Sequence, residues 1–206
     1  MVRLIFFTLI LTSGIDLLGQ SQGPTNHPSP YYINLEKAAW FNLPTELTTA
    51  QKSYVPAESG IINVNVLEKF QSDRIETPLF EKKILEILKV LFQNKDSLIH
   101  DDAEVFYMGS YQFKPLVNTE LFVIDIKDKE YWLRTVLGLN EVDGRIVSAM
   151  KIAYSVRIIG FSSVVYSHFD RGVFKMLSLV ASDVVGRNNR PTVVEKIKIR
   201  KNGTLR

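Results

Sequence analysis

The densest group of side chains able to bind a metal or transfer a proton is His100-Asp101-Asp102, followed by Glu104. Imidazole and carboxylate groups bind divalent cations, and a histidine beside acidic groups can serve as a general base. The spacing matches no established metal or catalytic signature. The cluster also lies between a predicted helix and a predicted strand, where Asp and His are ordinary loop residues. We therefore predict no metal site and keep an exported hydrolase using His100, Asp101 or Asp102 as an alternative.

A second candidate for catalysis is His168, which lies two residues before Asp170 at the end of a predicted strand. A Ser-His-Asp arrangement would also need a nucleophile from among the nearby serines: Ser162, Ser163, Ser167 and Ser178. None of these serines lies in the G-x-S-x-G turn that exposes a nucleophile. His168 therefore belongs to the hydrolase alternative, and we predict no catalytic residue.

Cofactor chemistry has little support in the residue pattern. Neither G-x-G-x-x-G nor G-x-x-x-x-G-K-[ST] occurs, so the glycine-rich phosphate-binding motifs are absent from the sequence. The chain has 0 cysteines, which excludes disulfides, thiolate metal sites and cysteine nucleophiles. We predict that the protein uses no cofactor, and a non-enzymatic role is the favoured interpretation.

Two sets of residues could instead contact a binding partner. Near the C-terminus basic residues alternate with isoleucines, which predicts a surface for an anionic partner made of Lys196, Lys198, Arg200 and Lys201. Lysines on a terminal strand also prevent pairing with another chain, and this is the competing interpretation. Strand aromatics usually pack in a core, but the following are candidates for facing a ligand: Tyr107, Tyr111, Trp132 and Tyr166.

One amphipathic helix is predicted over residues 77–93. Thr77-Pro78 supplies a capping residue followed by a proline at the first helical position. Apolar side chains then recur every three or four residues and form a single stripe: Phe80, Ile84, Ile87, Leu88 and Leu91. Charged residues cover the other side, so the stripe must pack against another element.

From Ala103 onward the apolar period changes to two, which predicts seven strands: 103–113, 119–127, 130–139, 145–155, 161–169, 173–182 and 193–200. Short turns such as Asp143-Gly144 separate them, and short connections make neighbouring strands antiparallel. The predicted fold class is α+β, with one amphipathic helix packed on an up-and-down meander of about seven strands that can curl into a partial barrel. Because the middle strands are apolar on both faces, the face opposite the helix must also be covered.

The N-terminus has the features of a secretory signal peptide. Met1-Val2-Arg3 carries one positive charge, an apolar run follows, and the small residues Gly19 and Ser21 mark a cleavage site. Asp16 interrupts the run, which is too short for a membrane-spanning helix. We therefore predict that residues 1–21 are removed on export and that the mature chain has no transmembrane segment.

The rest of the chain divides into two predicted parts. Residues 22–60 contain several prolines and read as an extended N-terminal segment, with a short helix from Leu35 to Asn42. Residues 61–206 form a single α+β domain. Basic charge is concentrated at the C-terminus, because residues 187–206 hold seven of the basic residues and only one acidic residue, Glu195.

The favoured function is an exported, non-enzymatic binding domain that acts in the periplasm or at the cell surface. Export combined with an absence of cysteine favours a Gram-negative bacterium, since small exported domains elsewhere often rely on disulfides. The expected partner is a protein, a glycan or an apolar ligand, and nucleic acid is not expected. The alternatives are the exported hydrolase described above and a structural component of the cell envelope.

Overall fold

The computed structural model describes residues 29–40, 60–65, 73–92, 103–182, 186–187 and 190–206. The elements within these ranges are, in chain order, β1 (Tyr32–Trp40), β2 (Gly60–Ile62), β3 (Asp73–Arg74), α1 (Pro78–Leu91), β4 (Glu104–Lys114), β5 (Val117–Lys127), β6 (Tyr131–Val142), β7 (Arg145–Ile158), β8 (Phe161–Asp170), β9 (Val173–Ser182), β10 (Gly186–Arg187) and β11 (Thr192–Lys198). The predicted signal peptide lies outside the described residues, and so do His100, Asp101 and Asp102 of the hydrolase alternative.

The helix predicted from the amphipathic stripe is confirmed as α1. Pro78 is its first residue, and the carbonyl of Thr77 accepts the first backbone hydrogen bonds, from Phe80 and Glu81. The buried side is formed by Phe80, Ile84, Leu85, Leu88 and Leu91. These side chains pack on the sheet, where the ring of Phe80 lies 5.8 Å from that of Phe122. Burial of this stripe holds the helix on one face of the sheet.

The strands from β4 to β9 form an antiparallel meander in which sheet order follows chain order. They correspond to six of the predicted strands, and the seventh, β11, pairs with β9. In the middle of the meander apolar residues face each other across neighbouring strands, as Phe122 faces Leu137 and Val123 faces Val136. The predicted α+β class with one helix on a meander is confirmed, and the sheet is not closed.

The face opposite α1 is covered by the curl of the sheet itself. Phe113 of β4 lies 4.8 Å from Phe169 of β8 and 5.0 Å from Phe174 of β9, measured between ring centroids, although β4 and β9 stand at opposite ends of the meander. Ile197, Ile199 and Leu205 join the same cluster from the C-terminal segment. The second apolar surface that the sequence required to be covered is therefore packed with side chains of the same chain.

The short helix predicted from Leu35 to Asn42 is wrong over the described part of that range. Residues up to Trp40 belong to β1, which pairs antiparallel with β7 and places Tyr32 opposite Met150. β8 pairs with β7 only from Tyr154 onward, so the other half of β7 has a free edge with unpaired backbone groups. Hydrogen bonding to this edge outweighs the local helical pattern of the segment.

The C-terminus forms a tight hairpin over residues 198–206 that is anchored by buried polar groups. The carbonyl of Gly203 accepts hydrogen bonds from Ser148 (2.6 Å) and Asn140 (3.2 Å), and the side chain of Asn140 also accepts a hydrogen bond from Thr119. Asn34 of β1 adds two hydrogen bonds to the backbone of Leu205. The hairpin therefore connects the first strand to the middle of the sheet.

Candidate functional site

The basic residues predicted on the last strand lie on an exposed surface that extends further than the sequence indicated. Lys196 of β11 lies opposite Lys175 of β9, and Lys175 lies opposite His168 of β8. All three side chains are exposed, as is Lys198, two residues along β11. We call these four residues the cationic face. The predicted Arg200 and Lys201 are also exposed, in the turn that follows β11 rather than on the strand.

An apolar row runs beside the cationic face on the same three strands. Tyr166 of β8 lies opposite Leu177 of β9, which lies opposite Val193 of β11. Tyr166 and Leu177 are half-buried, and Val193 is 41% exposed. Of the predicted ligand-facing aromatics, Tyr166 is therefore the one that borders the cationic face.

Trp132 belongs to a second group of charged residues, at the other end of the strands. Its indole Nε1 donates to Asp125 (2.5 Å), and the guanidinium carbons of Arg134 and Arg157 lie 5.2 and 5.5 Å from the centre of its ring. Lys127 forms an ion pair with the same carboxylate (3.3 Å). We call these five residues the tryptophan cluster. It holds three cations and one anion.

Asp125 is the centre of the tryptophan cluster, and its carboxylate is almost fully buried. Burial by itself raises the pKa of this carboxyl, but hydrogen bonds from Arg134 and Trp132 outweigh that effect and leave the pKa below its ordinary value. The bond from Arg134 measures 2.6 Å. Asp125 is consequently charged at neutral pH. Arg134 nevertheless retains a buried Nε that has no hydrogen-bond partner.

Lys151 of β7 is a buried amine that is surrounded by aromatic rings. The residue is 4% exposed, and its Nζ lies 3.9 Å from the ring centre of Phe92, 5.1 Å from Tyr31 and 5.2 Å from Tyr154. No carboxylate of the described residues is paired with it. Burial therefore lowers the pKa of this amine to about 7. The ring faces attract an ammonium group and offset part of this effect.

The other two predicted aromatics are packed inside the protein instead of facing a ligand. Tyr111 is 2% exposed and stacks on Phe113. The hydroxyl of Tyr107 donates to Glu120 (2.7 Å), and burial together with this carboxylate raises the pKa of Tyr107 well above its ordinary value. Both follow the common rule that strand aromatics supply core packing.

In the described part of the chain His168 has no hydrogen bond or ion pair to an acid that could orient it. Its cross-strand neighbours are Ile61 on β2 and Lys175 on β9. Ser167 points the other way, because its buried hydroxyl donates to the carbonyl of Ile152. In the described part of the chain no three His, Cys, Asp or Glu side chains are grouped to hold a metal ion. The described residues therefore bring together no Ser-His-Asp arrangement.

Lys151, Asp125 and Arg134 were missed as site residues by the sequence reasoning. A signal existed for two of them, because Lys151 stands between Met150 and Ile152 and Asp125 stands between two isoleucines. A single charge inside an apolar strand must be buried or paired, and either condition marks it for attention.

Comparison of the sequence and structure with known proteins identifies no related protein. No protein-family model, no curated protein and no solved structure matches the chain significantly. Among the described helices, none is both long and apolar enough to span a bilayer. The function must therefore be inferred from the geometry of the cationic face, the tryptophan cluster and the buried Lys151.

Proposed function

We propose that the protein is an exported, non-enzymatic binding domain that holds an acidic glycan of the cell envelope on its cationic face. The observation that carries the proposal is the position of Lys175 and His168. The lysines on β11 are explained by its position at the edge of the sheet, where positive charges prevent pairing with another chain. β9 has partners on both sides, so the exposed charge of Lys175 needs another explanation, and His168 lies beside it on β8, which is also paired on both sides.

The spacing of the cations supports an extended anionic partner. Neighbouring strands lie about 5 Å apart, so the row formed by His168, Lys175 and Lys196 spans about 10 Å. The two lysines of this row, Lys175 and Lys196, lie opposite each other and within the screening length of about 8 Å at physiological salt, so their charges act on a partner together. Mutual repulsion among them is relieved when an anion binds, which favours binding.

The aromatic neighbour supports a glycan over other polyanions. Tyr166 borders the row as a half-buried residue with an aromatic ring and a polar hydroxyl, a combination suited to contact with a sugar ring. An acidic sugar would then place its carboxylates on the cations and its ring on Tyr166. The predicted signal peptide brings the domain to the compartment where such polymers occur.

The test is a pair of double variants that change net charge equally. We expect K175E/K196E to lose at least ten-fold in affinity for polygalacturonate, measured by affinity electrophoresis, because attraction at two adjacent positions becomes repulsion. The control is K82E/K83E, which reverses two exposed lysines on α1 and should change affinity less than about two-fold. Neutral dextran should retard none of the proteins.

Two outcomes would contradict the proposal. Equal weakening by both double variants would mean that net charge, and not the cationic face, governs binding. Binding of the unmodified protein to vesicles containing anionic lipid, with no binding to polygalacturonate, would replace the glycan with a membrane surface. In a glycan complex, Y166A should also weaken binding while leaving the net charge unchanged.

Export has its own test. When the full chain is expressed in a Gram-negative host, the protein recovered from the periplasm is expected to begin at Gln22, because signal peptidase cuts after a small residue such as Ser21. Intact-mass measurement detects the loss of residues 1–21. A periplasmic fraction that lacks the protein, or a protein that retains Met1, would argue against the cleaved signal.

A further inference from the structure

The tryptophan cluster contains more positive charge than its own carboxylate can neutralise. Asp125 accepts hydrogen bonds from Trp132 and Arg134 and is paired with Lys127, so its two oxygens are already occupied. Arg157 contacts the indole ring, and no carboxylate of the described residues is paired with it. The cluster therefore carries two cations in excess of its single anion.

The second observation is the unused hydrogen-bonding capacity of Arg134. One terminal nitrogen of its guanidinium holds Asp125, while its Nε is buried and has no hydrogen-bond partner. Buried donors in proteins are nearly always satisfied, so a buried guanidinium donor that has no protein partner is available to an anionic ligand. A guanidinium is also suited to gripping a planar or tetrahedral oxyanion through two parallel N–H groups.

The strand register explains why these groups meet. Asp125 faces Arg134 across β5 and β6, and Trp132 faces Arg157 across β6 and β7. Arg157 is exposed and Trp132 is half-buried, so the pair is open to solvent while Arg134 lies beneath. Such a site has a buried donor at its base and an exposed cation at its entrance.

We infer that the tryptophan cluster is a binding site for a small oxyanion, a carboxylate or a phosphate, held between the guanidinium groups of Arg134 and Arg157. Because the Nε–H of Arg134 is closed to water in the unbound protein, the Arg134 side chain shifts to donate this N–H to the anion, while Arg157 contributes a fork of N–H groups. Trp132 fixes both guanidinium groups through contact with its ring. Asp125 keeps Arg134 in position and neutralises one of the three positive charges of the cluster, so that two remain for the bound anion.

This site is distinct from the cationic face. Arg157 faces Ser162 on β8, and His168 lies six residues further along the same strand, which corresponds to about 20 Å. A distance of this size exceeds the screening length of about 8 Å, so the two surfaces bind independently. Failure of glycan binding at the cationic face would therefore leave this inference unaffected.

The experiment uses the fluorescence of Trp132 as the reporter. The chain has 2 tryptophans, so the variant W40F makes Trp132 the single source of signal. We expect titration with malonate or with inorganic phosphate to change this fluorescence in a saturable manner, while sodium chloride at equal ionic strength does not. The relative affinities of malonate and phosphate identify which oxyanion the site prefers.

Arg157 supplies the decisive variant. R157Q in the W40F background should weaken the binding of the better anion at least ten-fold, because a charge-assisted fork is lost. The matched control is R171Q, which removes another exposed arginine, in the β8–β9 turn, and should leave affinity unchanged. Thermal unfolding of both variants confirms that the exposed substitutions preserve the fold.

Every result bears on the inference. Saturable binding that R157Q weakens and R171Q preserves would support it. A fluorescence change that follows ionic strength alone, the absence of any saturable change, or binding that survives R157Q would overturn it. The orphan Nε of Arg134 would then be assigned to a bound water.

Discussion

The free energy of unfolding is expected to rise by about 2 kcal/mol between pH 7 and pH 9, and the substitution K151M should abolish that rise. The cause is the buried amine of Lys151, whose pKa is lowered to about 7 in the folded protein because no described carboxylate compensates its charge. The same substitution should stabilise the protein by about 2 kcal/mol at pH 7, since a buried charge is replaced by an apolar side chain of similar length.

The sign follows from proton binding in the two states. The pKa of a lysine in the unfolded chain is 10.5, so between pH 7 and 10.5 the unfolded chain binds a proton that the folded protein has released. Stability then increases with a slope that grows from about 0.7 kcal/mol per pH unit at pH 7, where the folded amine is half protonated, to about 1.4 kcal/mol per unit near pH 9. Below pH 7 both states hold the proton, and the full cost of burying the ammonium persists.

The ionisation of buried tyrosines sets the upper limit of the pH range in which the effect of Lys151 on stability can be measured alone. Burial raises the pKa of Tyr31, Tyr107 and Tyr154 above the ordinary value of 10.0. Their contribution to stability is present below pH 10 and is lost as the pH rises above it, because the unfolded chain then releases protons that the folded protein keeps. Urea denaturation between pH 7 and pH 9 therefore isolates the effect of Lys151.

The control for this prediction is K175M, which changes an exposed lysine on β9 in the same way. K175M should keep the rise in stability between pH 7 and pH 9, whereas K151M should give a flat profile. An unchanged slope in K151M would show that the amine is hydrated in the folded protein. A large loss of stability in K151M at both pH values would show instead that the contacts with the three aromatic rings outweigh the burial cost.

The meander was predictable because its information is local. Two of the turns that separate its strands contain consecutive residues with positive φ, Asp143-Gly144 (52° and 76°) and Arg171-Gly172 (48° and 78°). Two consecutive positive φ values characterise the tight turns of β-hairpins, and Asp-Gly is a strong signal for them. The helix was predictable for the same reason, since its apolar stripe and its proline lie within one short segment.

The strand β1 was not predictable, because its structure depends on a distant partner. Its pairing joins Tyr32 to Met150, and the free edge that accepts it exists only because β8 leaves β7 after Tyr154. A local pattern cannot reveal an edge that forms more than a hundred residues away. Tertiary pairing then overrides a marginal helical preference.

The candidate sites show the same division between local and non-local information. The alternation of Lys196 and Lys198 with buried isoleucines was visible in the sequence. The extension of that surface to Lys175 required the register between β9 and β11. The meeting of Asp125 with Arg134 likewise required the register between β5 and β6, although Asp125 stood out in the sequence as a charge between two isoleucines.

The largest loss of stability among single conservative changes is expected for G203A in the C-terminal hairpin. Gly203 has a φ of 76°, and a Cβ at this position would lie 2.5 Å from Cγ2 of Val147 and 2.9 Å from Cγ2 of Val142. Valine side chains on strands are stiff, so the methyl groups cannot rotate away. We expect a loss of about 3 kcal/mol, made up of backbone strain and overpacking.

Gly172 supplies a control that separates these two causes. Its φ of 78° is nearly the same, but an added Cβ would make only an ordinary contact, 3.4 Å from Cδ of Lys114. G172A should therefore cost about 1 kcal/mol, the backbone contribution alone. Urea denaturation of both variants tests the difference. Equal losses of stability would mean that the hairpin moves to make room for the added methyl group. A larger loss in G203A would show that the C-terminus is held rigidly against the sheet by Val142, Val147 and the hydrogen bonds to the carbonyl of Gly203.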